Sequence, residues 1–453
     1  MSKQTEQQPE YHSPWEKTFG RITSPIESFI HNEAASGILL MLCAIIAMLI
    51  ANSALADGYF HFLHTETGFG FGEWELKKTL HHWINDGLMA LFFFVVGLEI
   101  KREVLVGELA DPRQAALPIV AAIGGMVVPA LIFTAFNFGG EGIHGWGIPM
   151  ATDIAFAVGV LVLLGSRAPK ALLTFLVALA IVDDLGAVLV IALFYTDTIV
   201  MEALGMAVLF LGILIALNMA GVRKPIPYFI FGSLLWLAML KSGVHATLAG
   251  VITALTIPAR PKFDPKVFSN HLRSLVDKFD TSHQPNVSIM QNETQKAILL
   301  NMEHGVHKVE TPLQRMEHNF HLPVAFLVIP IFALANAGVP IELSTMGDAL
   351  SHPVTLGVIL GLIIGKVIGV AGFTWVAVKM GICSLPSGVG FSQILAVSLL
   401  AGIGFTMSIF IAELAFAGQA ELLLMAKTGI LFASLLAGIV GYVSLYILGG
   451  KKQ

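Results

Sequence analysis

Residues 171–195 read ALLTFLVALAIVDDLGAVLVIALFY, an apolar run with the adjacent carboxylates Asp183 and Asp184 at its centre. The hydrocarbon core of a bilayer is ~30 Å thick and takes roughly 20 helical residues, so this run is long enough to cross it. A carboxylate at the middle of such a span costs roughly 2.5–3.5 kcal/mol on insertion scales. A chain that keeps two of them there must pair them inside a helix bundle or use them.

The composition of the whole chain indicates a membrane protein. Of the 453 residues, 55% are hydrophobic and only 13% are charged. Soluble domains carry roughly 25% charged residues. The net charge of -5 is modest, and the chain has no basic run with interleaved aromatic residues, so we expect no nucleic-acid partner. The lipid bilayer is the expected surrounding.

About twelve apolar segments are long enough to be transmembrane helices, which predicts an all-α membrane protein. The two short segments around Met239–Ser242 leave an alternative open, because they could form one hydrophobic region broken by a tight turn. The predicted spans are Ser36–Ala51, Ile84–Ile100, Ala115–Phe136, Ile148–Leu164, Ala171–Phe194, Ala203–Met219, Pro227–Leu240, Val244–Ile257, Leu322–Gly338, Thr355–Val378, Phe391–Phe416 and Leu422–Leu448.

Charges in the connecting loops alternate in sign and predict the orientation of the chain. Basic loops, such as those around Lys101, Arg223 and Lys379, alternate with loops that are mostly acidic, although Lys77 and Lys241 are exceptions. Basic loops face the cytoplasm, so we expect both termini to be cytoplasmic, which an even number of spans allows.

This pattern divides the chain into five predicted regions. Residues 1–33 and 450–453 are cytoplasmic tails, and residues 34–257 and 321–449 hold helices 1–8 and 9–12. The polar segment 258–320 is predicted to be a cytoplasmic loop with one or two short amphipathic helices. Its histidines are too scattered to predict a metal site.

Few charged side chains lie inside the predicted spans, and most of them are acidic. A set of carboxylates with one deep lysine is what a cation pathway requires. These residues are Asp86, Asp153, Asp183, Asp184 and Lys366, with Glu99, Glu413 and Lys427 nearer the ends and His245 as a further titratable group.

Two spans carry glycine or proline near their middle. One reads GWGIPMATD over residues 145–153 and ends in Thr152 and Asp153, and the other reads AGIGFTMS over residues 401–408. Glycine and proline weaken a helix, and freed carbonyls with a threonine hydroxyl are suitable ligands for an alkali cation. Interrupted helices at corresponding places in two halves of a chain are typical of a transporter's binding site. The alternative is that the glycines only let helices pack closely.

The adjacent aspartates are predicted to have different environments. Neighbouring residues on a helix point about 100° apart, so Asp183 and Asp184 cannot both face the same partner. One is expected to face a water-filled cavity and the other a residue on another helix. Lys366 is the natural counter-ion, although it could also belong to a purely structural ion pair.

A mechanism follows from the chemistry of carboxylates removed from water. In general, a carboxylate in a low-dielectric cavity has a raised pKa and accepts protons near neutral pH. Protons and a small cation then compete for the same oxygens. If the site opens to only one side at a time, that competition becomes obligatory exchange.

Seven stretches resemble the bacterial NhaA-type sodium/proton antiporters, over roughly Ser28 to Gly449. The resemblance implies twelve helices in an inverted-topology repeat, with the fourth and eleventh helices discontinuous and crossing near the midplane. NhaA is itself one of the examples behind the inverted-repeat rule, so the repeat argument is not independent of the resemblance. The matching stretches are INDGLMA at 84–90, GLEIKRE at 97–103, ATDIAF at 151–156, AIVDDLG at 180–186, SGVHATLA at 242–249, FALANAG at 332–338 and GIGFTMS at 402–408.

The resemblance also implies a role for each site residue. Asp184 would be the principal carboxylate for the transported Na⁺ and for H⁺, and Asp183 would act with it and pair with Lys366. Asp153 and Thr152 would lie in the extended part of the fourth helix, where Asp153 offsets facing positive helix ends and Lys366 the negative ones. Residues matching cytoplasmic-side or pH-response positions, which could equally be ordinary helix-end charges, are Glu99, Arg102, Glu103, His245 and Glu317.

The family implies electrogenic, pH-activated exchange of Na⁺ or Li⁺ for H⁺ in the inner membrane by a homodimer, with no cofactor and no enzymatic activity. The polar segment 258–320 and the N-terminal tail are longer than the family leads one to expect. Two other functions were considered. An intramembrane aspartyl protease would need a Gly-x-Gly-Asp pattern, which the sequence does not contain. A passive cation channel would conduct sodium without moving protons.

Overall fold

The computed structural model describes residues 33–71, 74–196, 199–261, 265–284, 287–340 and 346–449. The predicted tails, 1–33 and 450–453, lie outside these residues apart from residue 33. The described chain is almost entirely helical. The helices are α1 Glu33–Ala51, α2 Ala56–Leu63, α3 Met89–Val106, α4 Pro112–Asn137, α5 Ile154–Leu163, α6 Lys170–Phe194, α7 Met201–Met219, α8 Pro225–Ser242, α9 Leu248–Thr256, α10 Pro265–Thr281, α11 Glu293–Val309, α12 Pro312–Pro323, α13 Ile329–Asn336, α14 Met346–Ser351, α15 Pro353–Leu360, α16 Gly372–Lys379, α17 Phe391–Leu400, α18 Phe405–Ala415 and α19 Ala420–Leu448.

Several helices are extended by short turns of other helical types. Wider π-type turns join α12 to α13 and α15 to α16, so that Pro312–Asn336 and Pro353–Lys379 each run as one long helix. A π-type turn at Trp83–Leu88 precedes α3, and a 3₁₀ helix at Glu141–Met150 precedes α5. Such turns within long helices occur often at functional sites.

The described residues contain seven helices that are long and apolar enough to cross a bilayer, or up to ten if each of three bent pairs is one span. The two other predicted spans do not meet the same criterion. One corresponds to α3, which carries four charged residues from Glu99 to Glu103, and the other to α9, which has nine residues. The multi-pass membrane architecture is therefore present, and the count of twelve stays a prediction.

Both spans that the sequence predicted to be interrupted are broken. The 3₁₀ helix Glu141–Met150 meets α5 at 42°, and α17 meets α18 at 50°. Proline lacks the N–H that would continue the first helix, and glycine lowers the cost of leaving helical geometry in the second. We call these pairs the first and the second broken helix. The second lies at the centre of the molecule, since every residue of α18 from Phe405 to Ala412 is buried.

A small antiparallel hairpin lies between α2 and α3, where the sequence analysis had assigned only a loop. Strand β1, Glu66–Phe71, pairs with β2, Trp74–Thr79, with Glu66 opposite Thr79. Glycine occupies every second position from 68 to 72, which disfavours a helix here. The pairing with β2 then satisfies the backbone of the extended segment.

Two other local features settle what the sequence left open. Gly243 ends α8 with φ of 85°, and the nine-residue helix α9 begins at Leu248, so a tight turn breaks this hydrophobic region after Ser242, as the alternative has it. The polar segment 258–320 contains two helices, α10 and α11, as predicted, with Leu275 and Ile298 buried. The next helix begins at Pro312, ten residues before the predicted Leu322, because Thr311 and Gln314 form a capping box there.

Close packing of α4 against the Pro353–Lys379 helix depends on two glycines. A Cβ on Gly369 would lie 2.1 Å from the carbonyl oxygen of Gly124, and a Cβ on Gly124 would lie 2.3 Å from that of Gly369. Backbone atoms cannot move aside as a flexible side chain can, so any larger residue must separate the two helices. Small residues at such crossings are typical of membrane bundles.

We expect Gly369→Ala to lower the thermal stability of the purified protein in detergent. Overpacking of this kind costs about 1–3 kcal/mol. Gly372→Ala is the matched control, because a Cβ there has no atom within 4 Å and lies three residues along the same helix. Equal melting temperatures for the two variants would contradict the proposed contact.

Candidate ion-binding site

The two broken helices meet at their interruptions. The backbone N–H of Asp153 donates to the carbonyl oxygen of Ile403 at 2.7 Å, and the Thr152 hydroxyl lies 2.8 Å from the carbonyl oxygen of Ala401. Both interruptions thereby satisfy part of the backbone that each helix leaves unpaired. The glycines allow the approach, because a Cβ on Gly404 would lie 3.1 Å from the carbonyl oxygen of Ala151. Close packing and helix interruption, the two alternatives for these glycines, therefore occur together.

Asp153 caps two helices at once. Its Oδ1 accepts from the backbone N–H of Phe156 at 3.0 Å, which closes the N-terminus of α5. Its Oδ2 accepts from the backbone N–H of Thr406 at 3.0 Å and from the Thr406 hydroxyl at 2.6 Å, at the N-terminus of α18. A carboxylate is favoured where two positive helix ends face each other. Both oxygens of Asp153 are thus bonded within the protein.

Asp183 belongs to a fully buried ion pair. The Lys366 ammonium donates to Asp183 Oδ2 and, at 3.0 Å, to the Thr152 hydroxyl. The hydroxyl of Thr152 lies 2.7 Å from the same Asp183 oxygen, so it can donate its single proton either there or to Ala401. Lys366 has no exposed surface and lies between two π-type turns of its helix. It is the counter-ion that the sequence analysis had named.

Asp184 points elsewhere and lines a cavity of about 820 Å³. The lining does not include Asp183. Asp184 Oδ1 is buried and has no hydrogen-bond partner among the described residues. This is the division between a cavity and a neighbouring helix that the 100° step predicts. Of the three buried aspartates, Asp184 is the one that faces open space with an oxygen to spare.

The cavity is strongly acidic. Six carboxylates and one guanidinium contribute to its lining, together with two histidines. A cleft lined by one sign of charge raises the local concentration of the opposite ion. The charged and titratable lining residues are Glu99, Arg102, Glu103, Glu108, Asp153, Asp184, Glu317, His318 and His321.

Four of the five predicted pH-response residues gather at the mouth of this cavity. Arg102 pairs with Glu103 at 2.8 Å and with Glu317 at 2.9 Å, which joins α3 to α12, and Glu99 lies one turn below on α3. His245 is not with them. Its Nε2 contacts the carbonyl oxygen of Tyr195, past the end of α6 that is remote from Lys170. The turn after α8 that carries His245 therefore lies at the other end of the bundle from the four clustered residues, and a pH-response role for His245 stays a prediction from the resemblance.

Thr406 is a side chain of the site that the sequence pattern did not indicate. Thr406 was noted as part of the second interruption but not as a site residue, and it is the direct partner of Asp153 on the other broken helix. The signal was its position, directly after Gly404 and Phe405, at the start of a half-helix. The backbone carbonyls of Ala401 and Ile403 also belong to the site. Every residue type has such a carbonyl, so the sequence could not predict them.

The match to known proteins decides the family. A family described as "Na+/H+ antiporter 1" matches residues 27–445 of the sequence. The chain belongs to this family. It is 54% identical over 439 residues to "Na(+)/H(+) antiporter NhaA 1" of Saccharophagus degradans, covering 97% of this chain and 95% of that protein. It is 53% identical over 432 residues to "Na(+)/H(+) antiporter NhaA" of Sulfurimonas denitrificans, covering 95% and 97%.

A third relative, "Na(+)/H(+) antiporter NhaA" of Syntrophobacter fumaroxidans, is 50% identical over 445 residues, 97% of this chain. The NhaA-type resemblance drawn from the sequence motifs is confirmed. Membership of an antiporter family places the chain among transporters, and the apolar helices make it a multi-pass membrane protein.

We expect Lys366→Ala to destabilise the protein by about 3–5 kcal/mol, because removing one partner leaves the Asp183 charge buried and unpaired. Chemical unfolding in detergent measures the change. Lys379→Ala is the control, since Lys379 is exposed near the end of the same long helix. The double variant Lys366→Met with Asp183→Leu should recover most of the lost stability. A Lys366→Ala protein as stable as wild type would remove the ion pair from the account.

Proposed function

We propose that this protein exchanges Na⁺ or Li⁺ for H⁺ by alternating access, with Asp184 as the principal carboxylate. The observation that carries the proposal is the position of Asp184, which lines an acidic cavity and has one oxygen without a hydrogen-bond partner in the described part of the chain. Relatives that are about half identical over nearly the whole chain are named Na⁺/H⁺ antiporters. The relatives indicate which ions are exchanged, and the geometry indicates Asp184 as the candidate residue.

The roles of the other site residues follow from what already occupies their oxygens. Asp153 has both oxygens bonded at the helix ends, so we assign it to holding the crossing together. Asp183 has one oxygen in the pair with Lys366 and one that is free, so it can join a cation bound at Asp184 if Lys366 withdraws. Thr152 supplies a hydroxyl oxygen beside Asp183.

The exchange step rests on competition for these oxygens. When Asp184 carries a proton, its carboxyl group has no charge to attract Na⁺, and when Na⁺ is bound the proton has no site. The ions therefore cross in opposite directions if an empty carrier does not change its access. If Asp183 and Asp184 release more than one proton for each monovalent cation, each cycle moves net charge, and the membrane potential drives it.

Alternating access is supported by the placement of the site between the two broken helices. The cavity leads from Asp184 to one face of the molecule, near Arg102 and Glu317. Half-helices that meet end to end can shift without breaking a continuous hydrogen-bond ladder. In this proposal, the twelve-helix inverted-repeat fold carries the crossing at the bilayer midplane.

The cluster of Glu99, Arg102, Glu103 and Glu317 is our candidate for pH response. Protonation of Glu317 would break its pair with Arg102 and free α3 from α12 at the mouth of the cavity. His245 lies outside this cluster, and its predicted pH-response role rests on the resemblance alone. We further propose an inner-membrane location with both termini and segment 258–320 in the cytoplasm, on the alternation of loop charge. A homodimer is proposed on the family resemblance alone.

Asp184→Asn should abolish Na⁺-dependent proton movement in proteoliposomes while the protein still folds, because an amide carries no charge and releases no proton. Asp57→Asn is the control, since Asp57 is exposed in α2, away from the cavity lining. Exchange at the wild-type rate in Asp184→Asn would reject the assignment. Sodium flux without proton flux in the wild type would instead indicate the channel.

The Na⁺ concentration for half-maximal exchange should fall as pH rises. Below the pKa of the binding carboxyl group protons hold the site, and above it the site is free, so activity is low in acid and rises toward alkaline pH. In the competitive regime each pH unit changes the half-saturating Na⁺ concentration by about tenfold per competing proton. The measurement is proton flux against Na⁺ concentration at several pH values. A half-saturating concentration that is independent of pH would contradict competition.

A further inference from the structure

A second polar cluster lies at the end of the bundle opposite the mouth of the cavity. The Lys427 ammonium on α19 is 2.6 Å from Glu413 Oε1 on α18, and His81 Nε2 lies 3.7 Å from the same oxygen. His81 Nε2 is also 3.0 Å from Asn336 Oδ1, and Asn336 Nδ2 donates to Asn85 Oδ1 at 2.8 Å. We call these five residues the far-face cluster. The ion-binding site described above uses none of them.

The far-face cluster lies in line with the cavity on three separate elements. On α18, Thr406 and Met407 line the cavity, Phe410 follows one turn later, and Glu413 comes one turn after that. The order is the same on the helix that ends at Asn336, where Ile329 lines the cavity and Phe332 lies between.

The third element is the helix α3 with the π-type turn before it. Here Val96 lines the cavity, Phe93 lies in the middle, and Asn85 belongs to the cluster. The ring centroid of Phe410 is 5.4 Å from that of Phe93 and 6.3 Å from that of Phe332. All three rings are buried. A layer of three phenylalanines therefore separates the cavity from the far-face cluster.

The chemistry of the far-face cluster suits a monovalent cation. A carboxylate and two side-chain amide oxygens are hard ligands, the kind that alkali and alkaline-earth cations prefer. In this conformation the Lys427 ammonium occupies the position of a cation beside Glu413, as the Lys366 ammonium does beside Asp183. The cluster is also within reach of solvent, since the side chains of Glu413 and His81 are 13% and 20% exposed.

We propose that Glu413 is a second cation-binding carboxylate, which meets Na⁺ on the far face between solvent and the Asp183–Asp184 site. Lys427 competes with the cation for Glu413. It pairs with Glu413 while the cavity is open on the other side. The amide oxygens of Asn336 and Asn85 now accept hydrogen bonds from each other's amide groups, and they become further ligands when those bonds are exchanged for the cation. The three phenylalanines separate this second site from the central site until the far face opens. This inference rests on the proposed Na⁺/H⁺ exchange and adds a second cation-binding site to the transport pathway.

The test compares the two faces of the membrane. Inside-out and right-side-out vesicles containing the full-length protein are assayed for the Na⁺ concentration that gives half-maximal exchange from each face. Glu413→Gln should raise the value for the far face by roughly tenfold, the effect of losing one charged ligand, and leave the cavity face unchanged. Lys427→Gln should change the far-face value in the opposite direction, because it removes the competing ammonium.

If Glu413 binds the cation, Glu413→Gln and Lys427→Gln change the far-face half-maximal Na⁺ concentration in opposite directions. If the pair is only structural, both variants impair exchange alike from both faces. Glu421→Gln is the control, since Glu421 is an exposed carboxylate in the first turn of α19. Glu413→Asp should restore the far-face value in part. Equal effects on the two faces, or the same sign for both variants, would overturn the proposal. Absence of Na⁺/H⁺ exchange in the wild type would instead reject the proposed function itself.

Discussion

One carboxylate that bridges two helix ends holds the centre of this molecule together. Asp153 accepts from Phe156 in its own half-helix and from Thr406 in the other, and both positive ends would otherwise repel each other. A helix end buried without partners is costly, because its N–H groups cannot reach water. The crossing of two broken helices is therefore stable only with a negative group at this point. Near the carbonyl end of the second broken helix, the Thr152 hydroxyl lies 2.8 Å from the carbonyl oxygen of Ala401 and accepts from the Lys366 ammonium.

The three buried aspartates differ in which groups already bond their oxygens. Asp153 has both oxygens bonded at the helix ends, and Asp183 has one oxygen paired with Lys366. Among the described residues Asp183 and Asp184 each keep one oxygen without a hydrogen-bond partner, but of these two only Asp184 lines the cavity. The three aspartates thus divide into a cap of two helices, a member of a buried ion pair and a carboxylate that lines the cavity. Their neighbours, rather than their identity, decide these roles. A cation that drew Asp183 away from Lys366 would change the balance of the whole centre.

Charged side chains lie on both sides of the layer formed by Phe93, Phe332 and Phe410. The cavity ends in carboxylates near Arg102, and the opposite end holds the Glu413–Lys427 pair. A basic side chain pairs with a carboxylate at each of these places, and in the proposed exchange a cation would replace it. Pairing each of these carboxylates with a basic side chain lowers the free-energy cost of keeping its charge away from water.

The sequence by itself determined the membrane class, the family, the two interruptions and the presence of Asp183, Asp184 and Lys366 as charged side chains inside apolar spans. Apolar run length, helix-breaking residues and charges inside spans are local properties, so they can be read without a fold. Tertiary structure alone decided that Thr406 bonds Asp153, that His245 lies apart from the other candidates and that Asn85 meets Asn336. The latter two are 251 positions apart. It also decided the β1–β2 pairing and which aspartate faces the cavity. These outcomes depend on which distant helix faces which, and that is settled by packing across the whole bundle rather than by any local pattern.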